Sequence, residues 1–401
     1  MVPMDVIILD IHPEEDDRIA RHVKYLLDNG FTVYRLHYNI IDTSVPQGTF
    51  SEFGEKGYRI NFFGFAGKFK TLYLLMYCFS QKIAKDCYFA LDELHLDSSH
   101  CIVIHVHDPH LLPLAKKVIR DNRFRAKIVY DRHEIYEKFS PFLGIPVHHI
   151  LEKLIKGSIS GVVTVSESHN STTQKVFSNS SIITVPNYPL KRAYNSDRII
   201  EKIQLFNTDS EINMIYIGSL NNLAERDVNL LLKIADHVLL SSGKVKFFVG
   251  GDYNFDSRCR KKIEDLSKKF QDRFFFLGSV PRQKTIELTQ SAHIGFFLLR
   301  PETSYWVMSS PNKVYEYLIC GTIPVVRADI DKAEEISQCG LLFARYDSED
   351  SIIKSVVNLI NHPDIIKERM NRALDLSTNY TWESVARRYI DLYNSLLLQI
   401  K

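Results

Sequence analysis

The sequence predicts an α/β fold made of two successive parallel sheets, each covered by helices. Short β-branched segments alternate with amphipathic stretches along the chain, an alternation typical of strand–helix–strand units. The polar, proline-containing segment 187–198 separates two such series, and we predict that it is a linker. The predicted strands are 5–11, 32–38, 101–106, 127–131, 161–165 and 181–186 in the first series, and 212–218, 244–251, 273–278, 293–299, 322–326 and 340–343 in the second.

The predicted helices between these strands complete two Rossmann-like domains. Residues 14–29 have helical spacing and end at Gly30, a residue that favours the end of a helix. Two α/β series joined by a linker indicate domains at 1–190 and 191–381. Further predicted helices are 110–121, 166–177 and 382–401.

The composition is that of a soluble globular protein rather than a membrane-spanning or nucleic-acid-binding one. The 401 residues exceed one ordinary core, hydrophobic residues make up 45%, and the net charge is only +2. The amino-terminal segment lacks the pattern of a signal peptide, and the apolar segment 72–79 is too short to span a bilayer. We therefore predict a cytoplasmic protein whose six cysteines, which form no CxxC pair, are reduced thiols.

The segment SPNKVYEYLICGTIPVV at 310–326 is the most informative motif in the chain. Ser310 and Pro311 are typical of a helix start, and a buried strand follows the helix. Lys313 and Glu316 are three residues apart and share one helical face. The ammonium group suits a phosphate and the carboxylate suits the two hydroxyls of a ribose, whereas the alternative is a solvent-exposed Lys–Glu pair.

Paired α/β domains indicate where such a nucleotide would bind. Open parallel sheets bind ligands at the carboxyl ends of their strands, and two domains whose strand ends face each other enclose a cleft. Helix amino termini directed into that cleft stabilise a diphosphate through free N–H groups and the helix dipole. Because many functions share this architecture, it does not by itself identify a reaction.

The segment 310–326 resembles the donor-site motif of the retaining family 4 glycosyltransferases (glycosyl transferases group 1), which have the GT-B fold. The resemblance implies two facing Rossmann-like domains, an interdomain cleft and a terminal helix that crosses back, so 382–401 is assigned to the first domain. It also implies transfer of a sugar from a nucleotide sugar with retention at the anomeric carbon. Other segments that resemble family motifs, in family order, are 105–115, 130–134, 215–220, 276–281 and 381–393.

The resemblance places the donor contacts in the second domain. Glu316 matches the second glutamate of the family's paired-glutamate motif and is implied to bind the ribose, whereas Met308 occupies the position of the first. Ser219 replaces a phosphate-binding arginine of the family, and Arg226 lies near the position of its lysine. Arg226 and Lys313 are therefore expected to share the diphosphate charge, the alternative for Arg226 being a surface role. The remaining assigned donor contacts are Gly218, Val280, Ser310, Pro311 and Asn312.

The first domain contributes the residues assigned to chemistry. His133 follows a predicted strand, and the resemblance implies that it contacts the donor sugar, with Glu134 orienting its ring. The alternative is a loop histidine satisfied by its neighbours. Asp108 is the third residue assigned to catalysis, and its loop is implied to lie beside the acceptor or donor sugar together with His107 and His12.

The histidines around Asp108 also raise the question of a metal. His105 and His107 alternate along one predicted strand, and Asp108-Pro109 is typical of a helix start, so we favour loop and capping roles. The DID sequence at 329–331 follows a buried strand of the second domain and is predicted to be a polar loop. We predict no cofactor and no required divalent metal, with cationic side chains stabilising the departing diphosphate.

The acceptor and the competing functions stay open at this stage. The segment 58–79 combines aromatic and basic residues, which suits an anionic membrane surface or a lipid-linked acceptor, or else packing on the sheet. The hypothesis is transfer of a hexose or N-acetylhexosamine, from UDP rather than GDP, during synthesis of a bacterial surface polysaccharide. Alternatives are an epimerase of the same fold, an inactive partner subunit and a two-domain solute-binding protein.

Overall fold

The computed structural model describes residues 4–12, 16–39, 45–61, 79–121, 123–137, 146–220, 225–251, 257–303 and 310–398. The chain divides into two compact units, of which the first comprises Met1–Pro186 with Val385–Lys401 and the second comprises Asn187–Ser384. Met308 and residues 62–78, on which sequence predictions were made, lie outside the described residues.

Strands of the first unit form a mixed sheet that is parallel except at one edge. They are β1 (Met4–Asp10), β2 (Thr32–Asn39), β3 (Gly48–Phe50), β4 (Lys56–Asn61), β5 (Cys101–His107), β6 (Arg125–Arg132), β7 (Ile159–Thr164) and β8 (Ser181–Thr184). Among the described residues the order is β3-β4-β2-β1-β5-β6-β7-β8, and β3 pairs with β4 in the antiparallel direction. The sequence did not predict β3 and β4.

Strands of the second unit are all parallel where the structure describes their pairing. They are β9 (Ile212–Ile217), β10 (Val245–Gly250), β11 (Phe274–Phe276), β12 (Ile294–Leu298), β13 (Ile323–Arg327) and β14 (Leu341–Phe343). Their order, β11-β10-β9-β12-β13-β14, is the Rossmann order, in which the direction of winding reverses between the first and fourth strands. The predicted pair of Rossmann-like α/β series is therefore confirmed.

Helices connect the strands of both sheets. In chain order they are α1 (Asp17–Asp28), α2 (Gln81–Glu93), α3 (Leu112–Arg120), α4 (Val147–Ile155), α5 (Asn170–Val176), α6 (Ser196–Leu205), α7 (Val228–Ser241), α8 (Ser257–Lys269), α9 (Arg282–Ser291), α10 (Asn312–Ile319), α11 (Ala333–Ser337), α12 (Glu349–Ile360), α13 (Pro363–Ser377), α14 (Trp382–Val385) and α15 (Arg387–Leu397). In the part of the chain that the structure describes, none of these helices has the length and apolar character needed to cross a membrane.

The last helix, α15, packs on the sheet of the first unit, where it contacts β5, β7 and β8. Gly161 in β7 makes this packing possible, because a Cβ atom there would lie 3.2 Å from Leu392 and Leu396. The buried side chains Tyr389 and Tyr393 reach into the unit from the same helix. The expected return of the chain's end to the first domain is thereby confirmed.

Candidate active site

Helix α10 of the second unit begins at the carboxyl end of β9. Lys313 donates a hydrogen bond from Nζ to the carbonyl oxygen of Ile217, the last residue of that strand. Its Nζ also lies 5.9 Å from the centre of the Tyr216 ring. Because β9 borders the point at which the sheet order reverses, Lys313 lies where open α/β sheets bind their ligands.

Burial makes this ammonium group a ready partner for an anion. Burial lowers the pKa of Lys313, and the charge of Glu316 opposes that effect. The acceptor of its hydrogen bond is a neutral carbonyl, so its positive charge is not cancelled by that contact. The side chain of Pro311 gives the first turn of α10 no capping hydrogen bond, and N–H groups at such a position suit phosphate oxygens.

Glu316 forms an ion pair that the sequence did not predict. Its Oε1 lies 2.7 Å from Nη2 of Arg282, and the two side chains are 14% and 43% exposed respectively. Arg282 is the first residue of α9 and directly follows the FLGSVP segment that resembles a family motif. Its position directly after that segment is the feature of the sequence from which Arg282 could have been identified as a site residue.

The other predicted donor contacts lie on the same strand ends. Arg226 forms a β-bridge with Leu299, which directly follows β12, and its guanidinium lies 4.5 Å from the ring centre of Phe297. The charges of Arg226 and Arg282 both lower the pKa of Lys313, although less than burial does. Three cations and one carboxylate are thus grouped around the switch point of the second sheet.

Smaller predicted residues border this group. Gly218 directly follows β9, and a Cβ atom there would lie in ordinary contact with Nζ of Lys313, at 3.5 Å. The backbone oxygen of Ser219 accepts a hydrogen bond from Tyr216 at 2.6 Å, and Val280 lies beside Gly250 at the end of β10. At the start of α10, Ser310 and Pro311 are half-buried and Asn312 is exposed.

In the first unit, Asp108 directly follows β5 and has a strained conformation. Its φ of 63° is in the left-handed region, which non-glycine residues rarely adopt. Its Oδ2 lies 2.9 Å from Nε2 of His12, its Oδ1 lies 3.7 Å from Nδ1 of His133, and Tyr136 donates a hydrogen bond to it. His12 follows β1, so this contact bridges the reversal point between β1 and β5 in the first sheet.

Asp108-Pro109 starts a helix as predicted, because Asp108 is the N-cap residue of the short 3-10 helix Pro109–Leu111, but the expected capping hydrogen bond from its side chain is absent. The carboxylate instead contacts His12 and Tyr136. Burial alone would raise the pKa of Asp108, but the charge of His133 and the hydrogen bonds from His12 and Tyr136 hold it well below the usual range. Burial disfavours the charged form of His12, but the hydrogen bond and the charge of Asp108 raise the pKa of His12 to about 9.

Asp131, at the end of β6, is a second buried carboxylate that the sequence did not assign to the site. Arg18 contacts both of its oxygens, with Nε 3.0 Å from Oδ2 and Nη2 2.8 Å from Oδ1. Burial would raise the pKa of Asp131, yet the charge of Arg18 holds it well below the usual range. His105 and His107 lie on one face of β5, as predicted, and each has a ring nitrogen 3.5 Å from this carboxylate.

His133 lies between the two carboxylates. Its Nε2 lies 3.6 Å from Oδ1 of Asp131 and 3.2 Å from Nδ1 of His107, while its Nδ1 lies toward Asp108. Glu134 is exposed. Asp108, Asp131 and His107 each lie near a nitrogen of this imidazole ring.

Histidines and carboxylates in this cluster also have the composition of metal ligands. Among the described residues, the ligand atoms of His12, Asp108 and His133 lie within 4.8 Å of one another, as do those of His22, His105 and His107. In the second group the hydroxyl of Tyr393 hydrogen-bonds to His22 at 2.9 Å and to His105 at 2.7 Å. The tyrosine thus occupies one nitrogen of each of those two rings.

Comparison with protein families gives a match in the second unit. Residues 211–362 match the family model described as glycosyl transferases group 1. Curated relatives include the glycogen synthase of Thermotoga petrophila, 23% identical over 188 residues that cover 44% of this chain and 36% of the synthase. Another is the poly(ribitol-phosphate) alpha-N-acetylglucosaminyltransferase of Staphylococcus aureus, 22% identical over 77% of this chain and 58% of that protein. The chain thus spans little more than a third of the glycogen synthase it matches.

Solved structures share the fold over almost the whole chain. The sucrose-phosphate synthase of Thermosynechococcus elongatus has a TM-score of 0.72 at 13% identity, with 99% of this chain and 100% of that one covered. An E. coli trehalose-6-phosphate structure bound with UDP-2-fluoro glucose has a TM-score of 0.65 at 13% identity and covers 97% and 98%. At this identity the likeness establishes the fold, and the predicted GT-B resemblance is confirmed.

Proposed function

We propose that this chain, whose residues 211–362 match the family model described as glycosyl transferases group 1, transfers a hexose or N-acetylhexosamine from a nucleotide sugar to a glycan or lipid-linked acceptor. The observation that carries the proposal is the group of Lys313, Arg226, Arg282 and Glu316 at the switch point of the second sheet. Cations suit a diphosphate and a carboxylate suits ribose hydroxyls, so the group has the chemistry of a nucleotide-sugar donor.

In this proposal each unit has a distinct task. Lys313 and Arg226 neutralise the diphosphate, Glu316 accepts hydrogen bonds from the ribose, and His133 polarises the donor sugar near the bond that breaks. The acceptor oxygen bonds to the anomeric carbon on the face from which the diphosphate leaves, and the diphosphate takes the hydroxyl proton. The reaction therefore retains the configuration of the anomeric carbon and needs no protein carboxylate as general base.

The proposed donor carries UDP, and the proposed pathway is synthesis of a bacterial surface polysaccharide. Support comes from relatives whose names include an N-acetylglucosaminyltransferase acting on poly(ribitol-phosphate) and a structure bound with UDP-2-fluoro glucose. The domain assignment 1–190 with 382–401, and 191–381, is proposed as the division between the sugar-contacting and the nucleotide-binding part.

Release of nucleoside diphosphate is the experiment that tests this function. We expect release from UDP-glucose or UDP-N-acetylglucosamine that depends on an acceptor from a panel of glycans and lipid-linked saccharides, and proton NMR should show an α-linked product. Rearrangement of the donor without acceptor would instead indicate an epimerase. Absence of nucleotide binding in a thermal-shift titration would contradict the proposal, because a ligand that binds the folded state raises stability.

Metal independence is a separate expectation. We propose that Lys313, Arg226 and Arg282 supply the positive charge that a divalent ion supplies in other transferases. Activity should therefore change less than about twofold when EDTA is added, well below the effect of a lost catalytic metal. A loss of activity that Mg²⁺ or Mn²⁺ restores would contradict this, and a metal-dependent transferase assayed in parallel serves as the control.

Peripheral contact with the cytoplasmic face of a membrane is also proposed. Among the described residues, the proposal is supported by a surface on which Leu154 is 59% exposed and Phe79 is 50% exposed. Lys116 donates a hydrogen bond to the backbone oxygen of Leu154, and Lys117 donates one to that of Phe79. Lysines next to exposed apolar side chains suit anionic lipid headgroups. We expect salt-sensitive cosedimentation with vesicles containing phosphatidylglycerol.

Charge reversal on this surface tests the membrane contact. Lys153 and Lys156 are exposed and lie on either side of Leu154 in the chain. The variant Lys153→Glu with Lys156→Glu should weaken vesicle binding about tenfold or more, since each basic residue near an anionic surface contributes about 1 kcal/mol. Lys261→Glu with Lys268→Glu, on exposed positions of α8, makes the same change in net charge in the second unit. Equal binding by both variants and the wild type would exclude this surface.

A further inference from the structure

The last helix of the chain supplies side chains to the histidine–carboxylate cluster of the first unit. The hydroxyl of Tyr389 donates a hydrogen bond to Oδ2 of Asp131 at 3.1 Å. One turn later, the Tyr393 hydroxyl lies between His22 and His105. Both tyrosine side chains are fully buried, so α15 contributes to the interior of the cluster and not only to the surface of the sheet.

Asp131 is the residue on which these contacts converge. It accepts two hydrogen bonds from Arg18 and a third from Tyr389, and it is completely buried. The ring nitrogens of His105, His107 and His133 lie 3.5 to 3.6 Å from its oxygens. A carboxylate held by that many donors is fixed in place, and it is poorly suited to accept a proton from a substrate.

We propose that Asp131, held in place by Arg18 and Tyr389, is a positioning residue that fixes the imidazole ring of His133 for its contact with the donor sugar. The inference rests on the proposed function, in which His133 touches that sugar. Asp131 acts on the ring in two ways. It faces Nε2 of His133 directly, and it also faces His107, which hydrogen-bonds to the same nitrogen at 3.2 Å.

The arrangement assigns a functional part to a helix far from the catalytic motif in sequence. Tyr389 lies 258 residues after Asp131, and its ring stacks on His22 with centroids 4.2 Å apart. Removal of the hydroxyl alone leaves that stacking in place, so the hydrogen bond to Asp131 can be deleted separately from the packing of α15. Tyr389→Phe is therefore the informative variant.

A matched control is available on the strand that carries Asp131. Tyr130 is also fully buried, and its hydroxyl donates to Oε1 of Glu152 at 3.0 Å. Tyr130→Phe thus removes the same chemical group from the same kind of buried carboxylate, without touching Asp131. A merely structural role for Tyr389 predicts that the two variants behave alike.

The experiment measures turnover and the state of the His133 ring in the full chain. Tyr389→Phe should lower kcat about tenfold with the KM for the donor unchanged, and Asp131→Asn should lower it about a hundredfold, since small misplacements of a catalytic group are that costly. Tyr130→Phe should leave both constants near wild type. In ¹⁵N NMR, the ring nitrogen signals of His133 should move in Tyr389→Phe but not in Tyr130→Phe.

Each outcome decides the proposal. Equal kinetics for Tyr389→Phe and Tyr130→Phe, with unchanged His133 signals, would overturn the positioning role even if both variants melt at lower temperature. If the wild-type protein releases no nucleoside diphosphate from any donor, the proposed function fails. The NMR signals of His133 then decide the positioning role alone, because that readout needs no substrate.

Discussion

Replacing Lys313 with methionine is expected to reduce kcat/KM for the nucleotide sugar about 10²- to 10³-fold, as measured by release of nucleoside diphosphate. Methionine keeps an unbranched, apolar side chain of similar length, so the packing around Tyr216 and Gly218 is largely preserved. What disappears is a half-buried positive charge at the carboxyl end of β9. In a site of low polarity, one such charge on a departing diphosphate contributes several kcal/mol to the transition state.

The pH dependence of the same rate constant gives a second readout. Burial lowers the pKa of Lys313, so the free enzyme loses this proton at a lower pH than an ordinary lysine would. Because kcat/KM reports ionisations of the free enzyme, it should decline as the pH rises through that pKa. Lys313→Met has no proton to lose there, and this alkaline decline should be absent.

A surface lysine of the same unit provides the control for Lys313. Lys246 pairs with Glu211 at 2.6 Å, with 32% and 59% of the side chains exposed. Lys246→Met removes the same charge from the second unit, yet it should change kcat/KM by less than about twofold, since exposed pairs contribute little. Equal activity of Lys313→Met and Lys246→Met would show that the donor site has been placed wrongly.

The two sheets could be predicted from the sequence because their central strands are buried on both faces and form nearly continuous apolar segments. The predicted strand 101–106 corresponds to β5 (Cys101–His107), and 293–299 corresponds to β12 (Ile294–Leu298). The strand β3 was missed because it has only three residues, contains glycine and lies at the edge of the sheet, and β4 was missed because its sequence, KGYRIN, is mostly polar. Such segments carry little of the apolar pattern on which a prediction depends.

The candidate site could be predicted where its residues lie in one sequence motif, but not where residues distant in sequence come together in the fold. Lys313 and Glu316 share one helical turn, so spacing alone placed them together. Arg18 lies 113 residues before Asp131, and no local pattern connects the two. Asp131 could have been identified as a charged residue near the end of a predicted buried strand. The sequence analysis assigned the catalytic role to His133 instead, two residues later.

Replacing Glu316 with glutamine is the second change for which we expect a large effect, a loss in kcat/KM of about 10²-fold carried mainly by a higher KM for the donor. A carboxylate accepts hydrogen bonds from both ribose hydroxyls, and each bond to a charged acceptor contributes about 1.5 to 3 kcal/mol. Glutamine offers one neutral oxygen and keeps the shape of the side chain. The measurement is donor affinity by calorimetry together with steady-state kinetics.

Arg282 complicates the interpretation of Glu316→Gln, because the substitution also breaks an ion pair with a partner that is 43% exposed. Arg282→Gln and the double variant complete a mutant cycle that separates the two effects. If Glu316 contacts the ribose, Glu316→Gln should weaken donor binding even in the Arg282→Gln background. If the ion pair alone matters, the second substitution should add nothing to the first.

Glu211→Gln removes an exposed carboxylate of the same unit and should leave donor affinity unchanged. Wild-type affinity in Glu316→Gln would exclude this carboxylate from the nucleotide site, since no neutral amide replaces two charge-assisted hydrogen bonds without a cost.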